Sequence, residues 1–229
     1  MDRVLYCIWF GKEMSAIRKS CLEKLYTTSN VQVVLVTEEN LHCFILKDHP
    51  LHEGFQYLSD VHKSDYLRTY LMHFYGGGYS DIKPLPIDWN PYFDLLETSD
   101  AFGIGSPDPM VDNYEKLKEL NMHNHWTSLD FHSFLNVGFF IFKPQTAFTE
   151  KWYNSLLQKM DEKLEMLSKY PARNAYESDF GYFIAERQTR YPIHWIEIMA
   201  GIFHPLCAEF KSNLLNTFYV LKTSTKEYR

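Results

Sequence analysis

Four charged residues in one stretch of the chain have types and spacings that could carry out phosphate chemistry. Asp65 and Arg68 are three residues apart, so they share a face if this segment is helical. Asp81 and Lys83 follow three consecutive glycines. Carboxylates can ligate a metal ion or accept hydrogen bonds from hydroxyl groups, and Arg and Lys can neutralise negative charge. The stretch is therefore the first candidate for a binding or catalytic site.

Residues 59–89 predict the elements that would position these side chains. Ser59 or Asp60 can cap a helix, and Gly76 can end it. Apolar residues recur at helical spacing between these limits, namely Leu67, Tyr70, Leu71, Phe74 and Tyr75. Residues 79–83 read as a short strand that ends before the prolines at 84 and 86. The pattern predicts a helix that leads through glycines into a strand with an acid at its end.

The combined pattern S-D-x-L-R, a short interval and G-G-x-Y-x-D resembles the metal-dependent glycosyltransferases of the GT-A fold. It is most similar to the group with a sugar-binding D-x-D motif, which includes capsular-polysaccharide and mannosyl transferases and the glucosylating bacterial toxins. The form GGGYSDIK also resembles the small glycosyltransferase domains of large algal (chlorella) viruses. The resemblance implies an α/β fold of GT-A type and transfer of a sugar from a nucleotide donor.

The resemblance also implies roles for the four charged residues. Asp65 and Arg68 would hold the nucleotide-sugar, and Asp81 would bind the nucleotide and a divalent metal, Mn²⁺ or Mg²⁺. Lys83 stands where the family has its second Asp, and an ammonium cannot ligate a cation. Either Asp81 still binds the metal and Lys83 turns aside or touches phosphate, or Lys83 replaces the metal as counter-charge. We expect the first arrangement, with Mn²⁺ required for activity.

The beginning of the chain predicts a nucleotide-binding βαβ unit. Residues 4–9 form an apolar run typical of a central parallel strand, residues 14–26 have helical periodicity, and residues 32–37 are β-branched. Ligands of open α/β sheets bind at the carboxyl ends of the strands, where Trp9 lies. Trp9 is either a platform for a nucleobase or a packed core residue, and the similar toxins stack a Trp at this place on uracil. No G-x-G-x-x-G motif follows the first strand.

Asn136 is the candidate polar residue beside the donor sugar. It opens the apolar run 136–142, a predicted buried strand, and similar GT-A enzymes carry a polar residue at such a position. Its alternative role is that of a turn residue at the start of the strand. Residues 145–167 form a predicted amphipathic helix of the scaffold.

Acids near a predicted helix at 176–187 are candidates for the acceptor side. Glu177 and Asp179 are either helix caps or, as the resemblance implies, an acceptor contact or general base. His204 is the candidate C-terminal metal ligand that would join Asp81, with a structural role as the alternative. Residues 106–133 predict a surface excursion near the acceptor, and its histidines are weak evidence for a metal site, at positions His123, His125 and His132.

Composition limits the remaining possibilities. A length of 229 residues fits a single α/β domain, 1–229, with a mostly parallel central sheet flanked by helices. Within it, residues 1–105 would bind the nucleotide-sugar and residues 106–229 would form the acceptor side. The net charge of −6 without a basic run argues against nucleic acid as a partner.

The cysteine and hydropathy patterns indicate the cellular compartment in which the protein is expected. The four cysteines have neither metal-binding spacing nor a paired framework, which favours a reducing compartment. No apolar segment reaches the length of a membrane span, and the N-terminus lacks the layout of a signal peptide. We expect a cytoplasmic protein, located in the host cytoplasm if it is viral, or a domain of a larger one.

The expected function is transfer of a sugar from a UDP-sugar, or another nucleoside diphosphate sugar, to a hydroxyl of a glycan or glycoprotein. Viral capsid or surface glycans are the implied setting. Two alternatives remain open. A nucleotidyltransferase also uses acids, a metal and an α/β sheet, but normally has a phosphate-binding glycine loop after its first strand. The departure at Lys83 instead favours a degenerate module that binds a nucleotide-sugar without turnover.

Overall fold

The computed structural model describes residues 1–108, 131–179 and 189–217. These residues form one six-stranded sheet in the order β2-β1-β3-β5-β4-β6. The strands are β1 (Val4–Ile8), β2 (Gln32–Val36), β3 (Gly77–Ser80), β4 (Gly103–Pro107), β5 (Leu135–Phe142) and β6 (Leu214–Asn216). β5 is antiparallel to both of its neighbours, and the other pairs are parallel. The predicted α/β fold with a mostly parallel sheet is confirmed.

Among the residues that the structure describes, five α-helices cover the two faces of the sheet. They are α1 (Ala16–Thr28), α2 (Asp60–Phe74), α3 (Asn90–Glu97), α4 (Ala147–Lys169) and α5 (Ala200–Glu209). One core contains side chains from α2, α4 and α5, and the other contains side chains from α1 and α3. In the described parts of the chain, no helix combines the length and the apolar character needed to cross a membrane.

β3 begins and ends earlier than the sequence predicts. Gly77 and Gly78 are buried residues of the strand and not a loop before it. A Cβ on Gly77 would lie 2.8 Å from the carbonyl oxygen of Val4, and one on Gly78 would lie 3.1 Å from Leu5 and 3.2 Å from Trp89. The neighbouring strand and Trp89 therefore leave no room for side chains. As a result, Asp81 follows the strand, at its carboxyl end.

Two other elements differ from what the sequence predicts. The polar, mixed segment 39–58 predicts a loop with a short strand near residues 42–45, but Leu41–Cys43 forms a 3₁₀ turn. The Asn40 side chain accepts a hydrogen bond from Thr37 N–H and donates one to the Leu35 carbonyl, which folds the chain back after β2. The helix predicted at 176–187 does not include residues 176–179, and residues 180–188 lie outside the described part.

The reversed strand β5 joins the two parts of the chain in one sheet. It comes from the second part, yet it lies between β3 and β4 of the first part. Because β5 runs antiparallel, its beginning lies at the edge where the parallel strands end. Asp81 N–H donates to the Gly138 carbonyl at 2.7 Å, which fixes this edge. Residues near the start of β5 therefore lie beside the end of β3.

The N-terminus of α2 is anchored by a buried polar cluster. Ser59 caps the helix as predicted, since its side chain accepts from the N–H of His62. His62 is fully buried, with Nδ1 2.9 Å from the Tyr191 hydroxyl and 3.1 Å from Ser59 Oγ. Burial lowers the pKa of His62 from 6.5 to about 4. The imidazole is therefore neutral in the folded protein near pH 6, where an unfolded chain would begin to protonate it.

This pKa shift predicts a loss of stability in weak acid. Because the folded pKa is lowered, the contribution of neutral His62 is present above pH 6.5 and is lost as the pH falls towards 4. The shift corresponds to about 3 kcal/mol. We expect the stability of the wild type relative to a His62→Gln variant to decrease by an amount of this order between pH 7 and pH 4.5, in urea unfolding at each pH. A stability difference between wild type and His62→Gln that does not change with pH would contradict the lowered pKa of His62.

Candidate functional site

The site lies at a switch point in the sheet. From β1 the chain passes through α1 to β2 on one side, whereas β3 and the strands that follow it lie on the other side. In open α/β sheets, ligands bind outside the carboxyl ends of strands at such a point. Trp9 follows β1, and Asp81 follows β3. The predicted residues thus lie at the place where this architecture binds ligands.

Asp81 is the centre of a charged cluster. Its Oδ1 accepts a hydrogen bond from the Tyr79 hydroxyl at 2.8 Å and lies 3.4 Å from an Arg68 guanidinium nitrogen. Its Oδ2 lies 2.7 Å from Lys83 Nζ. Burial raises the pKa of Asp81, but the charges of Lys83 and Arg68 and the hydrogen bonds from Lys83 and Tyr79 outweigh it and hold the pKa below its usual range. Asp81 is therefore a carboxylate near neutral pH.

Arg68 is buried and held from several sides. It donates to the Val137 carbonyl at 2.7 Å and to the Tyr79 hydroxyl at 2.9 Å, and its guanidinium carbon lies 4.1 Å from the centroid of the Tyr79 ring. Its buried Nε has no hydrogen-bond partner among the described residues. Buried donors are normally satisfied by protein, water or ligand. A cation fixed in this way suits recognition of an anion.

Asp65 belongs to the same cluster, but its pKa is shifted in the opposite direction to that of Asp81. Its Oδ1 lies 3.3 Å from Arg68, and its side chain is buried. Burial raises the pKa of Asp65 to about 7, because the attraction of Arg68 does not offset it and the charge of Asp81 adds to the rise. The two carboxyl groups therefore have different protonation behaviour within one site. Such pairs are frequent at functional sites.

The oxygens beside Gly138 test whether these residues fit a metal ion. Asn136 Oδ1 accepts a hydrogen bond from Gly138 N–H at 2.7 Å, and an amide oxygen can accept a second contact. A Cβ on Gly138 would lie 3.0 Å from Asp81 Oδ2, 3.1 Å from Asn136 Oδ1 and 3.3 Å from Lys83 Nζ. Carboxylate and amide oxygens are suitable ligands for Mg²⁺ and Mn²⁺. Asp81 and Asn136 would hold such an ion, and phosphate and water would supply the other ligands. Among the described residues, no group of three His, Cys, Asp or Glu side chains could hold a metal alone.

Trp9 lies at the end of β1, beside Arg18, which belongs to no recognisable motif in the sequence. Its indole N–H donates to the Lys12 carbonyl at 2.8 Å, which fixes the ring. The guanidinium carbon of Arg18 is 5.9 Å from the ring centroid, and the same side chain donates to the Ile82 carbonyl. Gly11 has φ +86°, and a Cβ there would lie 2.3 Å from Asp60 Oδ2, so α2 approaches this segment closely. The ring is partly buried and remains a candidate base platform.

Replacement of Trp9 by Ala is expected to weaken UDP binding about tenfold or more. A base stacked on an aromatic ring gains about 1–3 kcal/mol, which the variant would lose. Titration calorimetry with UDP measures the change, and the melting temperature shows whether the fold is intact. Trp195→Ala is the control, because Trp195 is exposed and lies outside the βαβ unit that contains Trp9. An unchanged UDP affinity in folded Trp9→Ala would reject the stacking role.

His204 has a different neighbour from the predicted one. Its Nε2 lies 3.0 Å from Asp108 Oδ2, and its ring is stacked on Phe134 at 4.5 Å. Asp81 instead has Tyr79, Arg68 and Lys83 as its partners. The contacts therefore do not bring His204 and Asp81 together as shared metal ligands. Asp108 was not singled out from sequence, although an acid directly after a strand, as at Asp81, could have identified it.

The two acids predicted for the acceptor side differ in their environment. Glu177 is buried, and its carboxylate accepts hydrogen bonds from Arg173 and Thr189. Burial raises the pKa of Glu177, but these hydrogen bonds and the Arg173 charge together lower it below its usual range. The Glu177 carboxylate is therefore engaged by Arg173 of its own segment and by Thr189. Asp179 is exposed, and its N–H donates to the Ile193 carbonyl at 2.7 Å. Its role as acceptor contact or general base remains a prediction.

The predicted histidine cluster is only partly described. His123 and His125 lie outside the described residues. His132 borders a cavity of about 350 Å³ with Ser133, Lys211, Ser212, Leu214 and Asn216. This cavity is beside β6, and its lining does not include the residues of the Asp81 cluster.

Comparisons with protein-family models, with curated proteins and with solved structures find no match to this chain.

Proposed function

We propose that this chain is a glycosyltransferase that moves a sugar from a nucleoside diphosphate sugar, in particular a UDP-sugar, to a hydroxyl of a glycan or glycoprotein. The observation that carries the proposal is the cluster of Asp65, Arg68, Asp81 and Lys83 at the carboxyl ends of β1 and β3. The motif pattern suggested that these residues act together. Their distances, from 2.7 to 3.4 Å, are consistent with one site.

The donor would lie across this edge of the sheet. The base would stack on Trp9, and the diphosphate would lie near Arg68 and Lys83. Asp65 would accept hydrogen bonds from ribose or sugar hydroxyl groups. Asn136, beside Asp81 and Gly138, would lie near the diphosphate and the donor sugar.

The chemical requirement is stabilisation of the leaving group. A departing nucleoside diphosphate gains negative charge, and fixed positive groups lower the barrier when they face that charge. Arg68 is held in place by Val137 and Tyr79, so little reorganisation is needed when the charge develops. A divalent cation, Mn²⁺ or Mg²⁺, would supply further positive charge when bound. Asp179 is the proposed general base or acceptor contact.

A donor panel tests this proposal. Each nucleoside diphosphate sugar is first screened by thermal shift with and without Mn²⁺, and donors that stabilise the protein are then incubated with it. Release of nucleoside diphosphate together with free or transferred sugar would support the transferase. Release of pyrophosphate would instead indicate a nucleotidyltransferase, and binding without turnover would indicate a degenerate binding module. The cytoplasmic location and the viral glycan setting remain predictions.

A further inference from the structure

Two oxygens and one ammonium lie close together beside Gly138. Asp81 Oδ2, Asn136 Oδ1 and Lys83 Nζ all lie 3.0–3.3 Å from the point where a Cβ of Gly138 would stand, and Asn136 Oδ1 accepts a hydrogen bond from Gly138 N–H at 2.7 Å. The ammonium lies 2.7 Å from Asp81 Oδ2, the oxygen that a cation there would use. Lys83 therefore provides a positive charge at the position where a metal ion would be coordinated.

The side chain of Lys83 is able to leave this position. It is 34% exposed, whereas that of Arg68 is 7% exposed. A long, partly solvated lysine can move its ammonium into water at small cost, because the flexible stem has many rotamers. Arg68 is fixed by its bonds to Val137 and Tyr79. Of these two cations, Lys83 is the one suited to exchange with another positive ion.

The charges of the cluster oppose entry of a metal ion by itself. When Asp65 and Asp81 are both ionised they balance Arg68 and Lys83, and protonation of Asp65 leaves the cluster positive. In either state a divalent ion would add two uncompensated charges to a partly buried site. Charge that is removed from water without a partner costs several kcal/mol in proteins. A nucleoside diphosphate brings the missing negative charge and, at the same time, an alternative partner for the ammonium.

We infer that Lys83 occupies a cation site formed by Asp81 and Asn136 in the donor-free protein, and that a divalent cation binds there only together with a diphosphate. The diphosphate would draw the ammonium away from Asp81. Asn136 would be a cation ligand and not only a neighbour of the donor sugar. This inference deepens the proposed function and rests on it, since the diphosphate is that of the proposed donor.

Mn²⁺ binding provides a test that does not depend on turnover. The sharp electron paramagnetic resonance signal of free aqueous Mn²⁺ is titrated with wild type, with wild type plus UDP, and with Lys83→Met. We expect UDP to tighten Mn²⁺ binding to the wild type about tenfold or more, and Lys83→Met alone to bind Mn²⁺ about tenfold more tightly than the wild type alone. Adding Asn136→Leu to Lys83→Met should remove this gain.

Lys163→Met is the matched control. Lys163 forms an ion pair with Glu197 at 3.0 Å, and its side chain is 29% exposed, close to the exposure of Lys83. This variant should bind Mn²⁺ as the wild type does. The melting temperature of each variant verifies its fold.

Several results would overturn the inference. Wild type that binds Mn²⁺ without UDP as tightly as Lys83→Met would show that the lysine does not compete. A gain that survives Asn136→Leu would remove Asn136 from the site. Sugar transfer at full rate in EDTA, without Mn²⁺ binding in the presence of UDP, would reject the cation site but leave the transferase proposal intact. Absence of both UDP binding and donor turnover would instead reject the proposed function.

Discussion

Replacement of Asp65 by Asn is expected to reduce turnover about a hundredfold or more and to raise the stability of the folded protein at pH 8. The first effect follows from the proposed role, because an amide is a weaker acceptor than a carboxylate for the hydroxyl groups of the donor. The gain in stability follows from the burial of the Asp65 carboxyl group, which disfavours its ionised form. Together they would show that Asp65 is retained for function at a cost in stability.

The sign of the stability change follows from the pKa. The folded pKa of Asp65 is raised from 3.8 to about 7, so stability is highest below pH 3.8 and is lost as the pH rises to about 7. Asn does not ionise and avoids this loss, which is at most about 4 kcal/mol for a shift of this size. The advantage of Asp65→Asn should therefore decrease between pH 8 and pH 5. Urea unfolding at each pH measures it.

Asp94→Asn is the control for this experiment. Asp94 also pairs with an arginine, Arg3, but its side chain is 63% exposed. An exposed pair contributes little to stability, so this variant should resemble the wild type in both turnover and pH dependence. Turnover of Asp65→Asn near that of the wild type would contradict the donor role and leave Asp65 as a helix ion pair.

Replacement of Asp81 by Asn is expected to reduce sugar transfer about a thousandfold or more. Asp81 orients Arg68 and Lys83 and is the proposed carboxylate ligand of the cation, so the variant would lose the charge that organises the site. We also expect UDP to bind without Mn²⁺ at least as well as to the wild type, because two cations lose a negative neighbour. Addition of Mn²⁺ should no longer strengthen UDP binding. Calorimetry with UDP in EDTA and in Mn²⁺, and a transfer assay, measure these effects.

Asp88→Asn is the control for Asp81→Asn. Asp88 is exposed, follows the same strand, and accepts a hydrogen bond from the Asn90 N–H. The Asp88→Asn variant should retain sugar transfer and the effect of Mn²⁺ on UDP binding. If Asp81→Asn retained Mn²⁺-strengthened UDP binding, Asp81 would not be a ligand of the cation.

The parts of the fold that depend on local patterns were predictable from the sequence. The apolar run of β1, the β-branched run of β2 and the Ser59 cap of α2 each reflect a preference of neighbouring residues. The start of β3 was not predictable in this way. Its glycines lie in the strand where the Val4 carbonyl approaches Gly77, and Leu5 and Trp89 approach Gly78, so the reason for glycine there is tertiary contact and not a local pattern.

The candidate site also combines a contact that local spacing predicts with contacts that it does not predict. The spacing of Asp65 and Arg68 predicted a shared helix face, and their contact is observed. By contrast, the bond from Arg68 to the Val137 carbonyl and the pairing of His204 with Asp108 connect distant segments. No spacing rule in a single sequence identifies such contacts, since they depend on the path of β5 and α5 across the sheet.

The place of β5 in the sheet has a consequence for synthesis of the chain. β3 and β4 lie in the first half of the sequence, but β5, which separates them, comes later. While the chain emerges from the ribosome, β3 has one edge without its native partner. Exposed strand edges pair readily with other chains. Association of the nascent protein is therefore most favourable before residue 142 has emerged from the ribosome, and pairing of β5 both closes this edge and brings Asn136 and Gly138 to Asp81.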